Sequence, residues 1–328
     1  MMEIKIAARL RPFSHEPGIS CLLPGSTTEV TVYPALLCIG GKKIPLAVRG
    51  PMPEFTVMQD LEQGCIRVWG KTADGFLRYR LDGKALTVER GSLTIDGQLG
   101  IATEPLSSER LSLGSHKLQE WEQLARRRDL REILPLWLRL GQMTPVEPRK
   151  ERGGTLSLLD GCAEALDSGR PERVVPEFLQ LFEAGFHGLL VPHLEDRKHL
   201  GLGLPSLSQP ASALALLTEG AALIRSLVIA STVSEIALLP CMPPEFFCGR
   251  YLNAATPWGT IDLEWTKKAV RQVCLRATKT GDAAFRFPRS VRRFRLRTSR
   301  QDRGIELTVD KPIPVIAGAL YWLDRFQD

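Results

Sequence analysis

The residues best equipped for acid–base chemistry in this chain stand together at His193, Glu195 and Asp196. They lie in an irregular stretch, Gly185 to Gln209, that also carries His187 and His199, two prolines and four glycines. An imidazole beside two carboxylates can move protons in a transition state, and loops on rigid scaffolds often carry such groups. These three are the catalytic candidates. The same residue types ligate metals, but the three histidines are six residues apart. Helix-borne ligands sit three or four apart, as in HExxH. The spacing therefore reads as solvated loop histidines, and no metal or other cofactor is expected.

The strongest charge feature is a second candidate. Between Arg286 and Arg303 there are eight arginines and one acid, Asp302, with Phe285, Phe287 and Phe294 interleaved. Arg293-Phe-Arg-Leu-Arg297 alternates as a strand would, which puts its arginines on one face. Arg286, Arg289, Arg292, Arg293, Arg295 and Arg297 are the binding candidates. Such a face suits the phosphates of a nucleic acid, an acidic partner protein or anionic lipid. Its plainer reading is a solvated edge strand, where exposed charge blocks sheet-to-sheet aggregation. The net charge of +6 over 328 residues is too small to imply nucleic acid by itself. No Walker A loop, GxGxxG or GxSxG occurs, and Gly201-Leu-Gly203 follows no strand. Seven cysteines, an odd number with no CxxC pair, read as reduced and mostly buried thiols.

The elements that must position these residues fall into three parts. Residues 1–114 read as an antiparallel β-sandwich. Runs such as Ile4–Ala7, Val30–Tyr33, Ile66–Trp69 and Phe76–Arg80 alternate apolar and polar residues. Pro24-Gly25, Gly40-Gly41, Asp74-Gly75, Asp82-Gly83 and Asp96-Gly97 supply turns between them. The period changes to helical near Ser115, and residues 115–232 form the helical middle. A first helix is expected from Ser115 or His116, kinked or split at Pro135 and stopped at Gly141. A linker is expected near 143–154, then helices over 155–166, 171–184 and 210–229. Residues 233–328 return to β-structure. The fold class is thus α+β, sheet then helices then sheet. Trp69, Trp121, Trp137, Trp258, Trp265 and Trp322 fall on apolar periods and read as core, although any of them could line a sugar platform.

The junction near residue 240 carries a family resemblance. Ile236-Ala-Leu-Leu-Pro240 runs into Pro243-Pro244, and Trp258-Gly259 precedes a strand ending Glu264-Trp265. This resembles the junction between the helical barrel and the C-terminal β-domain of the inverting α-L-fucosidase family of glycoside hydrolases. That pattern reads roughly Leu-Leu-Pro-Ala-Leu-Pro, a Trp, and a Gly before a strand ending Glu-Trp. The resemblance covers about 40 residues, with the same domain order around it. It implies a carbohydrate-enzyme ancestry. Inversion needs an acid and a base roughly 6.5–9.5 Å apart. The family's base segment, Phe-Gln-Ile-Asp-Gly-Asn-Phe-Gly, would fall on Leu204–Ser212, which holds no carboxylate or asparagine. No catalytic residue is carried across. A barrel of twelve helices needs about 300 residues, and 115–232 has room for about six, so an open helical layer is expected.

Composition is that of an ordinary globular protein, 44% apolar and 24% charged, which excludes a largely disordered chain. No apolar run reaches the roughly 18–20 residues of a membrane span. Ala211–Ala230 contains Thr218, Glu219 and Arg225. Met1–Arg11 lacks the apolar core of a secretion signal, so the chain reads as cytoplasmic. The expectation is a reduced, non-catalytic glycoside-hydrolase-like protein that binds carbohydrate or serves as an interaction module. The alternatives are an active glycosidase rebuilt near His193–Asp196, or a basic scaffold for nucleic acid or an acidic partner.

Overall fold

The computed structural model describes residues 3–94, 100–103, 107–187, 190–194, 197, 203–267, 269–299 and 301–327. It shows an α+β protein. Nine strands open the chain: β1 (Phe13–Ser14), β2 (Ile19–Leu22), β3 (Glu29–Tyr33), β4 (Leu36–Ile39), β5 (Lys42–Pro45), β6 (Thr56–Asp60), β7 (Cys65–Thr72), β8 (Gly75–Leu81) and β9 (Leu86–Arg90). They form two antiparallel sheets, ordered β2-β3-β4-β5 and β1-β6-β7-β8-β9. Alternation assigns each strand a core face. Val30, Val32 and Leu37 of one sheet and Val57, Val68 and Tyr79 of the other are buried in one hydrophobic cluster. Gln59 crosses between the sheets and donates Nε2–H to the Leu22 carbonyl at 2.5 Å.

The turns fall where the Gly-rich signals stand. Gly25, Gly40, Gly41 and Gly75 all have positive φ between paired strands, conformations that cost glycine little. Asp96-Gly97 lies outside the described residues. Ile4–Ala7 is not a strand. No neighbouring ladder accepts it. Side chains take its carbonyls instead, Arg250 that of Lys5 and Arg110 that of Ala8, both at 2.8 Å.

Five α-helices follow: α1 (Trp121–Arg127), α2 (Leu130–Gln142), α3 (Ser157–Asp167), α4 (Pro171–Gly185) and α5 (Ala213–Val228). Two expectations change here. The first helix begins at Trp121, just after Gln119 is bonded to Arg11 and Phe13 of the sandwich. The break falls at Arg128–Asp129, not Pro135. Arg128 ends α1 in the left-handed region, and the Asp129 side chain caps α2 by accepting from Arg131 N–H at 3.0 Å. Pro135 continues inside α2. α2 ends at Gln142, one residue past Gly141, and Gly141 is also a packing point. A Cβ there would lie 2.8 Å from the Leu217 carbonyl of α5, and one at Gly220 would lie 2.4 Å from the Trp137 ring. The two glycines let α2 and α5 cross closely. α2 is buried continuously from Glu132 to Gly141, and its buried polar side chains are paired, Glu132 with Arg127 and Arg139 with the Leu61 carbonyl. Residues 143–153 form a fixed loop: Arg149 bonds Glu219, Asp160 and the Leu156 carbonyl at 2.8–3.1 Å.

The C-terminal region centres on a seven-stranded antiparallel sheet. Its order is 110–112, 248–256, 259–266, 269–277, 320–327, 293–297, 305–308. The edge strand β10 (Arg110–Ser112) thus comes from the first part of the chain and ties it to the last. Gly259 has φ +134, and a Cβ would lie 2.0 Å from the Arg276 carbonyl, so only glycine fits this turn. The Ile236–Leu238 strand pairs outside the large sheet, antiparallel with Ile229–Ser231 and parallel with Phe285–Arg286.

Glu109, next to β10, is 5% exposed and lies where all three parts meet. Its carboxylate accepts from the Tyr251 hydroxyl, from Ala255 N–H at 2.8 Å, from Gln142 and from Arg225 at 3.3 Å. Removing it strands the buried Tyr251 phenol and takes the carboxylate from the part-buried Arg225. Glu109→Ala is expected to lower the unfolding free energy by about 3 kcal/mol in urea titration, whereas exposed Glu164→Ala, which loses only a surface pair with Arg173, shifts it by less than about 1 kcal/mol.

No disulfide forms; Cys21, Cys65, Cys162, Cys241 and Cys274 are buried, Cys38 and Cys248 partly exposed. Burial pushes the Cys162 thiol up to about 12 and that of Cys274 up to about 11. Unfolded thiols ionise near pH 8.5, so the native state holds protons that the unfolded state releases. Stability is full below that pH and falls as pH rises toward 11–12. The urea midpoint is expected to be lower at pH 10 than at pH 8, with part of the difference removed in Cys162→Ala. In native protein, Cys38 and Cys248 are expected to alkylate first, as mass spectrometry of iodoacetamide-treated protein would show.

Candidate functional site

The period-two geometry that buries Val57 and Val68 sends their neighbours to the opposite face of the five-stranded sheet. Phe13 is in register with Met58, Met58 with Arg67, and Thr56 with Trp69, which pairs with Arg78. Phe13, Thr56, Met58 and Trp69 therefore share one outer face. Residues 116–119 run beside the β1 edge of that face as a wall. Phe13 N–H donates to the Gln119 carbonyl at 3.0 Å, and Arg11 N–H to the Gln119 side-chain oxygen at 2.5 Å. Floor and wall enclose an open cleft of about 560 Å³, within the roughly 300–1,000 Å³ of ligand sites.

The cleft combines rings with cations. Trp69 is half-buried, with the Arg78 guanidinium 5.8 Å from its ring centroid. Phe13 meets His15 edge to face at 5.4 Å. His15 Nδ1 lies 3.2 Å from the Phe55 carbonyl and 3.0 Å from Thr56 Oγ1. A carbonyl can only accept, so Nδ1 carries the proton. Arg9, Arg11, Lys117 and His116 complete the polar lining, and no Asp or Glu is among the lining residues. Behind it, Asp60 is fully buried and serves two guanidinium groups, Arg11 at 3.1 Å and Arg67 at 3.3 Å. Leu118, 64% exposed, stands on the wall.

His193 is exposed, and its N–H donates to the Gly185 carbonyl at 2.8 Å. Glu195, Asp196 and His199 lie outside the described residues. Among the described residues no group of three or more His, Cys, Asp or Glu is placed to hold a metal. The region matched to the family's base segment is held by carboxylates from the 143–153 loop. Ser208 Oγ donates to Glu151, and Ser212 Oγ to Glu147 at 2.8 Å. The hollow there is about 110 Å³, too small for the ligand sites cited above.

The arginine strand does present Arg293, Arg295 and Arg297 on one face, with Phe294 and Leu296 buried behind. Most of its charge is committed. Arg295 grips Asp324 with two bonds of 2.7 and 2.9 Å, and Arg297 adds a third at 2.6 Å. Arg293 pairs with Glu306 at 3.1 Å and Arg286 with Glu235 at 2.9 Å. Arg289 and Arg292 are exposed, form no ion pair among the described residues, and line a separate open hollow of about 430 Å³ beside Phe287.

Four tryptophans are core as expected: Trp121, Trp137, Trp265 and Trp322. Trp69 and Trp258 are half-buried. The cleft itself escaped the sequence reading, because its parts come from residues 9–15, 56–69 and 116–119. Trp69 facing the arginine side of its strand was the available signal. Among the described residues, no helix is long and apolar enough to cross a membrane. No protein-family model matches this chain, and no curated protein matches it significantly.

The Asp324 carboxyl is buried, which opposes ionisation, yet its bonds to Arg295 and Arg297 hold it below the usual carboxylate range. Its stabilising effect is present above the ordinary carboxylate pKa and is lost as pH falls through the native one. Asp324→Asn is expected to destabilise the fold by roughly 1–3 kcal/mol at pH 7, and urea titration at pH 3 should show a smaller gap between variant and wild type.

Proposed function

We propose that this is a non-catalytic, glycoside-hydrolase-like protein that binds carbohydrate in the cleft over β1, β6 and β7. The observation that carries the reading is the pairing of Trp69 and Phe13 with polar groups around an open hollow of ligand size. Aromatic faces suit the apolar C–H faces of sugar rings, and the neighbouring donors suit their oxygens. The resemblance at Leu238–Trp265 to the inverting α-L-fucosidase family supports the same ligand class. The small hollow at Leu204–Ser212, filled by the Glu147 and Glu151 contacts, favours binding over hydrolysis. A second reading, a basic scaffold for an acidic partner or nucleic acid, rests on Arg289 and Arg292. It has less behind it, because Arg286, Arg293, Arg295 and Arg297 of the run are engaged by acids.

A glycan array should show retention of the purified chain on a restricted set of saccharides. Trp69→Ala is expected to weaken the best of these by tenfold or more, the effect of losing an anchoring aromatic of roughly 1.4 kcal/mol or above, with an unchanged thermal melt. Prolonged incubation with the same saccharides should release no reducing ends. Retention of none, or full affinity in the Trp69 variant, would remove the reading.

A further inference from the structure

We infer that the saccharide taken by this cleft is acidic, a glycan whose rings carry carboxylates or sulfate or phosphate esters. The inference rests on the carbohydrate reading above and adds the charge of the ligand. Sugar hydroxyls both donate and accept, so a site for a neutral glycan needs acceptors as well as donors. Here the lining is weighted to donors. Arg9, Arg11 and Lys117 bring only donors, and Asp and Glu are missing from the lining. Outside the two imidazoles, His15 and His116, the side-chain acceptors of the lining are engaged. Gln119 Oε1 holds Arg11 N–H, and Thr56 Oγ1 and the Phe55 carbonyl hold His15.

The charges behind the lining do not cancel it. Arg11, Arg67 and Arg78 share two carboxylates, Asp60 and Glu89. Lys117 stands 3.6 and 3.8 Å from Glu132 and Asp129. Those carboxylates are already bonded more closely, by Arg127 at 2.7 Å and Arg131 at 2.7 Å. Arg9 is exposed and has no ion pair among the described residues. The cleft thus offers positive charge and unfilled N–H groups beside two rings. An anionic oxygen cluster on a sugar ring supplies the missing acceptors, while the ring supplies an apolar face.

The test is calorimetric titration of the full chain with three probes: tetragalacturonate, a sulfated heparin-derived tetrasaccharide and neutral cellotetraose. At least one acidic probe is expected to bind ten times more tightly than cellotetraose. That affinity should fall several-fold between 50 and 300 mM NaCl, because exposed charge is screened over the Debye length. Which acidic probe wins tells carboxylate from ester. The double variant Arg9→Gln/Lys117→Gln, altered only at exposed side chains, should lose tenfold or more for the acidic probe and keep the wild-type melt. Equal affinity for acidic and neutral probes would overturn the acidic ligand and leave carbohydrate binding standing. Binding to none of the three would remove both. Binding that survives the double variant but is lost in Arg289→Gln/Arg292→Gln would move the anion to the other hollow and overturn the assignment.

Discussion

The fold turns on one buried carboxylate. Glu109 leaves the sandwich, yet its partners lie in α2, in α5 and in the C-terminal sheet. Taking a carboxylate out of water is costly, and it is tolerated only when its lone pairs are filled. Here four donors fill them. Burial, then Glu109 itself, holds the Tyr251 phenol well above its usual range, so Tyr251 stays a donor at any ordinary pH. Arg139, itself buried, adds bonds to the carbonyls of Leu61 and Ser107. A network of this kind has few alternative arrangements, because each partner left unpaired would carry its full desolvation penalty.

The cleft inherits that fixed point. β10 begins one residue after Glu109 and is locked to 250–252 of the large sheet. The chain that leaves it, 113–119, reaches α1 along the edge of β1, where Glu120 bridges Phe13. The contacts of Gln119 with Arg11 and Phe13 then set the wall a few residues from the floor. A cleft between two segments a hundred residues apart therefore lies next in the chain to a carboxylate that does not touch it.

What could be read in the sequence was what is local. Alternation at Ile66–Trp69 and Phe76–Arg80, the Gly-rich turns, and helices near 157–167, 171–185 and 213–228 all depend on neighbours a few residues away. The strand 248–256 was missed because Asn253, at φ +56, bulges it and breaks the alternation between Tyr251 and Ala254. Pro135 misled because a buried helix, held by packing on all sides, tolerates a missing N–H that an exposed one would not. The charge features misled in the same way. The arginine run is conspicuous because its members adjoin in sequence, but Asp324, Glu306 and Glu235 reach it only in the fold. Arg9, Arg11 and Lys117 are unremarkable in sequence, and the fold gathers them.

The helical layer explains why recognition would sit on the sandwich at all. Gly141 and Gly220 bring α2 and α5 so close that Trp137 fills the space between them, its Nε1–H donating to the Leu217 carbonyl at 3.1 Å. The middle of the layer is solid. The buried α2 packs on α4, α5 and β10, and these have spent their apolar surface on each other. The outer face of the five-stranded sheet has the opposite character. Its strands must alternate to bury Val57, Val68 and Tyr79, and the residues turned outward are polar or only partly buried at several positions, Met58, Arg67 and Trp69 among them. Rings and guanidinium groups could accumulate there without disturbing the core, and the returning wall makes that flat face concave.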